Sequence, residues 1–471
     1  MAQHRSKQVI FAPEIGIQRA LRQPGTRRDT VDAGAREARA PEQFVGRIDD
    51  ALPGLVLLSA HRLARISKVY RLVTLQSKRR LPGFSRFANR LGRQMKNAVC
   101  IEDLRRLAQR RVPRAFFDYA EAGSYSEETL RANRCDMSAI KLRQRVLVDV
   151  SRADTATTIL GEKVSLPLAL GPVAMTGLEH GNGEILACRA AQAMGIPFTM
   201  STLSICSIED VAETVDKPFW FQLYVMKDRG FVRSLIERAA AARCSALVVT
   251  VDLQVLGQRH RDLKNGLSVP PSLKVGNLIN MAGKPRWAFG VLAGKRWTFG
   301  NLDGHVKGME GVRSLTQWVG TQFDRTLSWK DLEWIRSLWS GKLIIKGILD
   351  VEDAKLAAET GANALVVSNH GGRQLDGASS SISMLPKVAE AVGSRIEVLF
   401  DGDVRSGQDV LRALALGAKS CLIGRSYIYG LGAGGERGVI KAIEIIRKEL
   451  EVSMALTGVN SIDEIGPGIL A

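Results

Sequence analysis

Short apolar runs alternate with amphipathic segments along the chain from Leu166 onward. Short apolar runs are typical of buried strands, whereas apolar residues spaced by three and four positions are typical of helices. The runs that we predict as strands are Leu166 to Leu170, Pro197 to Met200, Phe219 to Tyr224, Ala246 to Val251, Leu343 to Lys346, Ala364 to Val367, Val398 to Phe400 and Cys421 to Ile423.

Most of these runs are followed by a helical pattern, as in Gly183 to Met194, Phe231 to Ala242, Val351 to Glu359 and Gly407 to Leu416. Eight strand-helix units are the number that closes a parallel barrel. The alternative, an open doubly wound sheet, would favour a G-x-G-x-x-G turn after the first strand, and the sequence has none there. We therefore predict an α/β protein with a (β/α)8 TIM barrel.

The connection after the fourth predicted strand is unusually long. Residues 258–325 contain no clear strand and carry Trp287, Phe289, Trp297 and Phe299 among lysines and arginines. A connection of this length is usually a lid or a mobile surface element. Its aromatic residues form either a local cluster or a basic surface that settles on an anionic membrane.

Residues 1–94 differ from the rest in charge and pattern. They hold 19 Lys and Arg against 7 Asp and Glu, so they carry 12 of the 18 net positive charges of the chain. They lack sustained periodicity, and we predict that most of them are disordered. The segment is a tail that binds an anionic surface, an organelle-targeting peptide, or translated sequence upstream of the true start codon.

We favour the upstream-sequence interpretation, because Met95 shortly precedes the first helical pattern, Ile101 to Gln109. The sequence thus predicts two parts, a basic N-terminal extension at 1–94 and a barrel domain at 95–471. The basic extension also suggests a different class of function, a nucleic-acid-binding protein. No recognised nucleic-acid-binding module accompanies the charge, so we expect no nucleic-acid partner.

Composition narrows the class of protein further. With 45% hydrophobic residues the chain can bury a large core. No apolar run approaches the roughly 20 residues of a membrane-spanning helix. The six cysteines are scattered without a C-x-x-C pair, so we predict no zinc or other metal site, no disulfide framework and a reducing, cytoplasmic environment.

The stretch after the sixth predicted strand carries the most informative chemistry. His370 is followed by two glycines and then by Arg373. A histidine moves protons near neutral pH, and an arginine holds a carboxylate through two parallel hydrogen bonds. Because the carboxyl ends of barrel strands converge at one mouth, this pair indicates acid-base chemistry on an organic acid.

Two further strand ends indicate phosphate. Gly402 and Arg405 follow the seventh predicted strand, and Gly424 and Arg425 follow the eighth. These two loops commonly hold a phosphate in TIM barrels, through backbone N–H groups and a positive charge. Lys346, at the end of the fifth strand, is a Schiff-base nucleophile, a member of an ion pair, or a fixed charge beside a cofactor ring.

Four motifs occur among these strand ends. They are Phe221-Gln222-Leu223-Tyr224, Thr250-Val251-Asp252, Ile345-Lys346-Gly347 and Ser368-Asn369-His370-Gly371-Gly372-Arg373-Gln374. Together they resemble the motifs of the FMN-dependent α-hydroxy acid dehydrogenase and oxidase family, and the match runs from about Ile101 to the C-terminus. Within that family, the segment Ser328 to Ile335 and the sequence from Asn363 onward are most similar to the bacterial membrane-associated L-lactate dehydrogenases.

The resemblance implies catalytic and substrate-binding roles for specific residues. His370 would take the proton of the substrate hydroxyl, and Asp252 would orient His370 and stabilise its charged form. Lys346 would lie beside flavin N1 and O2, where its charge favours the reduced cofactor. The residues implied to bind the carboxylate or the reacting oxygen of the substrate are Tyr119, Tyr224, Arg259 and Arg373.

The resemblance also implies a set of FMN-binding residues. Those implied around the flavin ring are Ala174, Ser201, Gln222, Thr250, Lys346 and Ser368. Those implied at the phosphate end are Asp401, Gly402, Arg405, Gly424 and Arg425. One position departs from the family pattern, because Asp403 stands where the third residue of the phosphate loop is usually glycine. We expect the Asp403 side chain to turn outward, since otherwise Arg405 would pair with it instead of with phosphate.

The implied activity is the FMN-dependent oxidation of an L-2-hydroxy acid, most simply L-lactate, to the 2-oxo acid. Electrons would pass to a quinone or another carrier, with peripheral contact on the inner face of the cell membrane and a homo-oligomeric assembly. The alternatives within the same chemistry are an oxygen-using oxidase and a dehydrogenase specific for mandelate or glycolate. Leu203 and the long connection are the candidates for setting substrate size.

Overall fold

Eight short parallel strands form a ring in the computed structural model, which describes residues 95–267, 274–306 and 311–471. The strands, numbered in chain order within these residues, are β1 (Thr157–Ile159), β2 (Glu162–Val164), β3 (Leu168–Leu170), β4 (Thr199–Ser201), β5 (Trp220–Tyr224), β6 (Ala246–Thr250), β7 (Lys342–Ile348), β8 (Ala364–Val367), β9 (Glu397–Phe400) and β10 (Ser420–Ile423). β3 to β10 correspond in order to the eight predicted strands, so the predicted barrel is confirmed.

The ring follows the chain order from β4 to β10, and β10 pairs with β3. A parallel bridge between Leu170 and Phe198 joins β3 to the chain just before β4. The backbone N–H of Leu170 donates to the carbonyl of Pro197 at 2.9 Å. All these pairings are parallel, so the carboxyl ends of the eight strands face the same end of the barrel.

Helices surround the ring, and their bounds in chain order are α1 (Ile101–Arg111), α2 (Arg114–Glu121), α3 (Glu128–Ala139), α4 (Thr176–Glu179), α5 (Gly183–Ala193), α6 (Ile208–Ala212), α7 (Arg229–Ala241), α8 (His260–Lys264), α9 (Val275–Ala282), α10 (Pro285–Leu292), α11 (Gly311–Gln322), α12 (Trp329–Leu338), α13 (Val351–Glu359), α14 (Ser381–Val392), α15 (Gly407–Ala415), α16 (Arg425–Gly434) and α17 (Glu436–Thr457). The five predicted helices are present as α1, α5, α7, α13 and α15, with ends within about two residues of the prediction.

The hairpin of β1 and β2 covers the amino-terminal end of the barrel. Its residues Ile159, Leu160 and Val164 pack in one buried cluster with Trp220 and other inward-facing strand residues. The backbone N–H of Leu160 donates to the side chain of Glu397, the first residue of β9, at 3.0 Å. The hairpin therefore closes the end of the barrel opposite the carboxyl ends of the strands, and we did not predict it.

The long connection after β6 is helical where the structure describes it, with α8, α9, α10 and α11 in its described parts. The ring of Trp287 in α10 stacks on Phe116 with centroids 5.3 Å apart, and its Nε1 donates to the carbonyl of Leu178 at 2.6 Å. The described part of the connection thus contains docked helices and no strand, and its role as a lid or mobile surface element stays a prediction.

The predicted N-terminal extension at 1–94 lies outside the described residues. Among the residues that the structure does describe, no helix combines the length and the hydropathy that crossing a membrane requires.

Candidate active site

His370 and Asp252 meet at the carboxyl end of the barrel. His370 Nδ1 lies 3.0 Å from Asp252 Oδ1 and 3.2 Å from Oδ2. Gly347 makes this approach possible, because a Cβ at its position would lie 2.6 Å from Asp252 Cγ. Gln374 also holds the aspartate, since its Nε2 donates to the Asp252 carbonyl at 2.5 Å. The imidazole is thus oriented through one nitrogen, which leaves Nε2 for a substrate.

Asp252 is ionised in this arrangement. Burial opposes its charge, but the attraction of His370 and Lys346 outweighs burial and lowers the pKa of Asp252 below its ordinary value. A carboxylate in this position stabilises a protonated imidazole, and this is the support that a general base needs after it accepts a proton.

The loop that carries His370 has an unusual backbone. His370 adopts a φ of 58°, and Gly371 and Gly372 follow with 66° and 71°. Few non-glycine residues occupy this left-handed region, and those that do are often found at functional sites. A Cβ on Gly372 would lie 2.6 Å from the backbone nitrogen of Leu130 in α3, so the glycine lets the loop pack against that helix.

Lys346 is 4% exposed and lies in an ionic cluster at the end of β7. Its Nζ is 2.6 Å from Asp401 Oδ2 and donates to Ser368 Oγ at 2.8 Å. The same Ser368 Oγ accepts the backbone N–H of His370 at 3.0 Å. Lys346 is therefore a fixed charge linked to the His370 loop. Among the described residues these two partners use two of its three N–H groups.

Three buried polar side chains form a hydrogen-bonded row across β4, β5 and β6. Ser201 Oγ donates to Gln222 Oε1 at 3.2 Å, and Gln222 Nε2 donates to Thr250 Oγ1 at 3.0 Å. Thr250 pairs in register with Lys346, so Lys346 is the neighbouring residue on the next strand of the barrel. Ala174 lies in the loop after β3. Its neighbour Met175 fixes this loop, because the Met175 backbone N–H donates to the Leu203 carbonyl at 3.0 Å.

Two arginines flank the ring of Tyr119. The guanidinium carbons of Arg373 and Arg259 lie 4.8 and 5.6 Å from its centroid. Arg373 Nη1 donates to the carbonyls of Tyr119 and Ala122 at 2.5 and 3.2 Å, and Arg259 Nε donates to Asp262 Oδ2 at 2.6 Å. Burial and the neighbouring charge of Arg259 lower the pKa of Arg373 to about 10. The guanidinium groups of Arg373 and Arg259 both stay charged at neutral pH, and an anion between them would relieve their repulsion.

Tyr224 belongs to the same cluster. Burial raises the pKa of its phenol, and the negative charge of Asp252 acts in the same direction, so the hydroxyl stays protonated. Phe323 packs edge-on against its ring at a centroid distance of 6.3 Å. The barrel thus brings together the proton-accepting pair, two cations and a neutral phenol that Phe323 supports.

The loops after β9 and β10 have the predicted glycines. Gly402 has a φ of 142°, and a Cβ there would collide with Ser381 Oγ. Ser381 Oγ and Asp401 Oδ1 are both buried without a hydrogen-bond partner among the described residues. Gly424 immediately precedes α16, and the nearest atom to a Cβ at its position is a Val173 methyl at 3.6 Å. A hydroxyl and a carboxylate oxygen at this end of the barrel are therefore open to a further hydrogen-bond partner.

The side chain of Arg425 is directed elsewhere. Its guanidinium donates to the carbonyls of Ala120, Gly371 and Ala122 at 3.0, 2.9 and 3.0 Å. It therefore links α2 to the His370 loop, and only its backbone lies at the start of α16.

The expected outward rotamer of Asp403 is wrong. Its side chain is only 4% exposed, and its Oδ1 lies 2.8 and 2.7 Å from Nε and Nη2 of Arg405. Arg134 lies on the other side, with Nη1 3.9 Å from Asp403 Oδ2. The carboxylate turns inward because two guanidinium groups surround it, and Arg405 is paired with Asp403.

Some residues that shape this site were not predicted. Asn133 in α3 and Asn369 exchange two side-chain hydrogen bonds of 2.9 and 2.7 Å, which fix the His370 loop. No local signal reveals this pair, because 236 positions separate the two residues. Asp262 stands three residues after Arg259, a spacing that brings side chains together on a helix, and this signal was available in the sequence.

Comparison with known proteins is consistent with this site. The model of the FMN-dependent dehydrogenase family matches residues 108–471. The L-lactate dehydrogenase of Caulobacter sp. (strain K31) is 50% identical over 370 residues, which cover 78% of this chain and 97% of that protein. The L-lactate dehydrogenase of Ectopseudomonas mendocina (strain ymp) is 48% identical over 369 residues, with 78% and 97% covered.

Solved structures give the same fold. A monotopic membrane protein, (S)-mandelate dehydrogenase, superposes with a TM-score of 0.76 at 35% identity and covers 80% of this chain and 99% of its own. A mandelate oxidase superposes with a TM-score of 0.68 at 35% identity and covers 80% and 98%.

Proposed function

The chain belongs to the FMN-dependent dehydrogenase family, and from this premise we propose that it oxidises L-lactate to the corresponding 2-oxo acid with FMN as its cofactor. The observation that carries the proposal is the His370–Asp252 pair beside the two arginines around Tyr119. A 2-hydroxy acid needs a base for its hydroxyl proton and cations for its carboxylate, and this cluster supplies both. Substrate identity rests on the curated relatives, which are L-lactate dehydrogenases at about half identity.

The residues at the carboxyl end of the barrel fit FMN. When bound, this cofactor accepts the hydrogen and the two electrons of the C2–H bond of the substrate. Ser201, Gln222, Thr250 and Ala174 would hold its ring. Lys346 would favour the negative charge that a ring gains on reduction, because its ammonium is buried and fixed by Asp401 and Ser368. The backbone N–H groups of Gly402, Gly424 and Arg425 and the side chain of Arg405 would receive its phosphate.

His370 would accept the hydroxyl proton at Nε2, since Nδ1 faces Asp252. The left-handed backbone of His370, supported by Gly371 and Gly372, fixes the imidazole before the substrate arrives. Because Asp252 is already ionised, the imidazolium that forms would have a partner at 3.0 Å.

Arg373 and Arg259 would bind the substrate carboxylate, with Tyr119 between them. The protonated hydroxyl of Tyr224 would donate a hydrogen bond to the carboxylate or to the reacting oxygen. These contacts orient the substrate so that its hydroxyl faces His370, and correct positioning alone accounts for a large part of an enzymatic rate enhancement.

Electrons would leave to a membrane quinone or a similar carrier, with the protein held peripherally on the inner face of the membrane. Two exposed helices support this proposal. Ile279 in α9 and Phe289 in α10 are 69% and 63% exposed, and Lys284 and Arg286 lie between them in sequence. Apolar residues beside basic ones are typical of helices that lie in an anionic lipid surface. A homo-oligomeric assembly stays a prediction.

The test is the absorption spectrum of the purified protein before and after anaerobic addition of L-lactate, with D-lactate, (S)-mandelate and glycolate as comparators. We expect a flavin spectrum that bleaches with L-lactate at the lowest concentration. Bleaching by (S)-mandelate at a lower concentration than L-lactate would instead identify (S)-mandelate, the compound in the names of the solved relatives, as the substrate. A colourless protein that FMN does not restore would contradict the proposal.

A further inference from the structure

Arg405 is one of the two loop arginines implied to meet the cofactor phosphate, and its guanidinium is already engaged. Nε and Nη2 form the edge with which an arginine grips two oxygens of a phosphate. Here both nitrogens contact a single oxygen of Asp403, at 2.8 and 2.7 Å. Nη1 donates to the Tyr429 hydroxyl at 3.1 Å, and that hydroxyl donates to Glu121 at 2.6 Å.

The backbone at Asp403 holds the carboxylate in this place. Its φ of 63° lies in the left-handed region, which glycine occupies without strain and aspartate tolerates better than most residues. Arg134 donates to the Asp403 carbonyl at 3.4 Å and bonds to Asp409 at 2.9 Å, so it is anchored on the far side of the carboxylate. The side chain of Asp403 therefore has little room to swing into solvent.

The charges of this cluster oppose a phosphate. A phosphate group that reaches Arg405 would face the Asp403 carboxylate across the same guanidinium, and like charges at such distances repel strongly when partly buried. The phosphate would have to displace Asp403 or share Arg405 with it. A glycine at this position would leave the Nε and Nη2 edge open and would add no negative charge.

We propose that Asp403 is an internal competitor for the cofactor phosphate, so that this chain binds FMN little more tightly than riboflavin. The inference rests on the proposed function, because it assumes a flavin at this end of the barrel. It assigns the flavin affinity mainly to the buried row of Ser201, Gln222 and Thr250 and to Lys346, which would hold the ring and not the phosphate.

The experiment titrates flavin-depleted full-length protein with FMN and with riboflavin and follows the quenching of flavin fluorescence. Riboflavin lacks only the phosphate, so the ratio of the two Kd values isolates the phosphate contribution. We expect a ratio below about tenfold in the wild-type chain. In Asp403→Gly and Asp403→Asn it should rise by a further tenfold to a hundredfold, roughly the worth of one or two charge-assisted hydrogen bonds, with the riboflavin Kd unchanged.

Two variants sharpen the result. Asp403→Asn keeps the size of the side chain and removes its charge, so it remains informative if the glycine variant folds poorly. Glu209→Gln is the matched control, because it removes a carboxylate from another arginine pair. Glu209 lies in α6, and its Oε1 is 2.7 Å from Arg238 Nε. It should leave the ratio within about twofold of wild type.

Equal ratios of the riboflavin Kd to the FMN Kd in wild type and in both Asp403 variants would overturn the proposal that Asp403 competes with the phosphate. Failure of both flavins to bind any variant would overturn the proposed function, and this inference with it.

Discussion

At the scale of single residues, His370 has one ring nitrogen committed to Asp252 and the other available to a substrate. Glutamine at this position retains polar atoms but cannot accept a proton near neutral pH. We expect His370→Gln to keep its flavin while anaerobic bleaching by L-lactate slows by about 10²- to 10⁴-fold, the usual contribution of a general base. Stopped-flow absorbance would measure the rate.

The control for this variant is His305→Gln, which alters an exposed histidine in the long connection. Its bleaching rate should match that of the wild type. A wild-type bleaching rate in His370→Gln would show that His370 is not the base. Loss of flavin from that variant would assign His370 a structural role instead.

The individual site residues show how far sequence reasoning reaches. His370, Arg373, Lys346 and Asp252 were predictable because each follows an apolar run, and the ends of barrel strands converge. The rotamer of Asp403 was not, since it depends on Arg134, which is distant in sequence and close in space. Local patterns identify which residues enter a site, whereas the partners that orient them come from other elements.

At the scale of elements, the same distinction explains the hairpin of β1 and β2. Each strand has only three residues, and only Ile159 and Val164 within them are buried, so neither gives an alternating pattern long enough to detect. Helices such as α13 were predicted with correct bounds because their apolar face repeats over several turns. Helices α9 and α10 were not predicted, and neither helix contains a buried residue that would mark an inward-facing apolar side.

The hairpin gives a prediction about stability. Ile159 is 1% exposed and packs with residues inside the barrel. We expect Ile159→Ala to lower the free energy of unfolding by about 2–4 kcal/mol, the usual cost of removing a buried branched side chain. Urea titration followed by tryptophan fluorescence would measure it. Flavin affinity should not change, because the hairpin lies at the opposite end of the barrel.

The adjacent exposed residue supplies the comparison. Thr158→Ala should alter stability by less than about 0.5 kcal/mol, as most surface substitutions do. Similar destabilisation by both variants would mean that the hairpin acts as a whole, through its backbone pairing. No effect from either would mean that it does not close the barrel in solution.

Helices α9 and α10 give a prediction about membrane contact. In a flotation assay with vesicles that contain phosphatidylglycerol, we expect wild-type protein to bind and the double variant Ile279→Glu, Phe289→Glu to bind at least about a hundredfold more weakly. Each buried apolar side chain is worth about 1.5–3 kcal/mol, and the added charges repel the anionic lipid. Reduction of a soluble dye by L-lactate should be retained.

The control is Leu356→Glu, which places a charge at another exposed apolar residue, in α13. It should bind vesicles as the wild type does. Equal binding by all three proteins would show that α9 and α10 do not form the membrane contact. Loss of dye reduction in the double variant would mean that these helices also support the active site.

At the scale of the whole molecule, charge and chemistry occupy different parts of the chain. Residues 1–94 carry 12 of the 18 net positive charges, whereas the family match begins at residue 108. The strand ends with acid-base and carboxylate-binding groups all lie beyond Leu166. The net charge of the chain therefore says little about the enzyme.

Deleting residues 1–94 tests this separation. We expect the shortened protein to keep its flavin and to reduce a soluble dye with L-lactate within about twofold of the full chain, because the described barrel supplies every residue of the proposed site.

Electrophoretic retardation of double-stranded DNA should be measured for both proteins in low and in physiological salt. Retardation by the full chain alone, weakening steeply with salt, would give the basic segment a nucleic-acid-binding role separate from the enzyme. Loss of dye reduction on deletion would instead make the segment part of the catalytic domain, and would move the domain boundary from residue 95 toward the N-terminus.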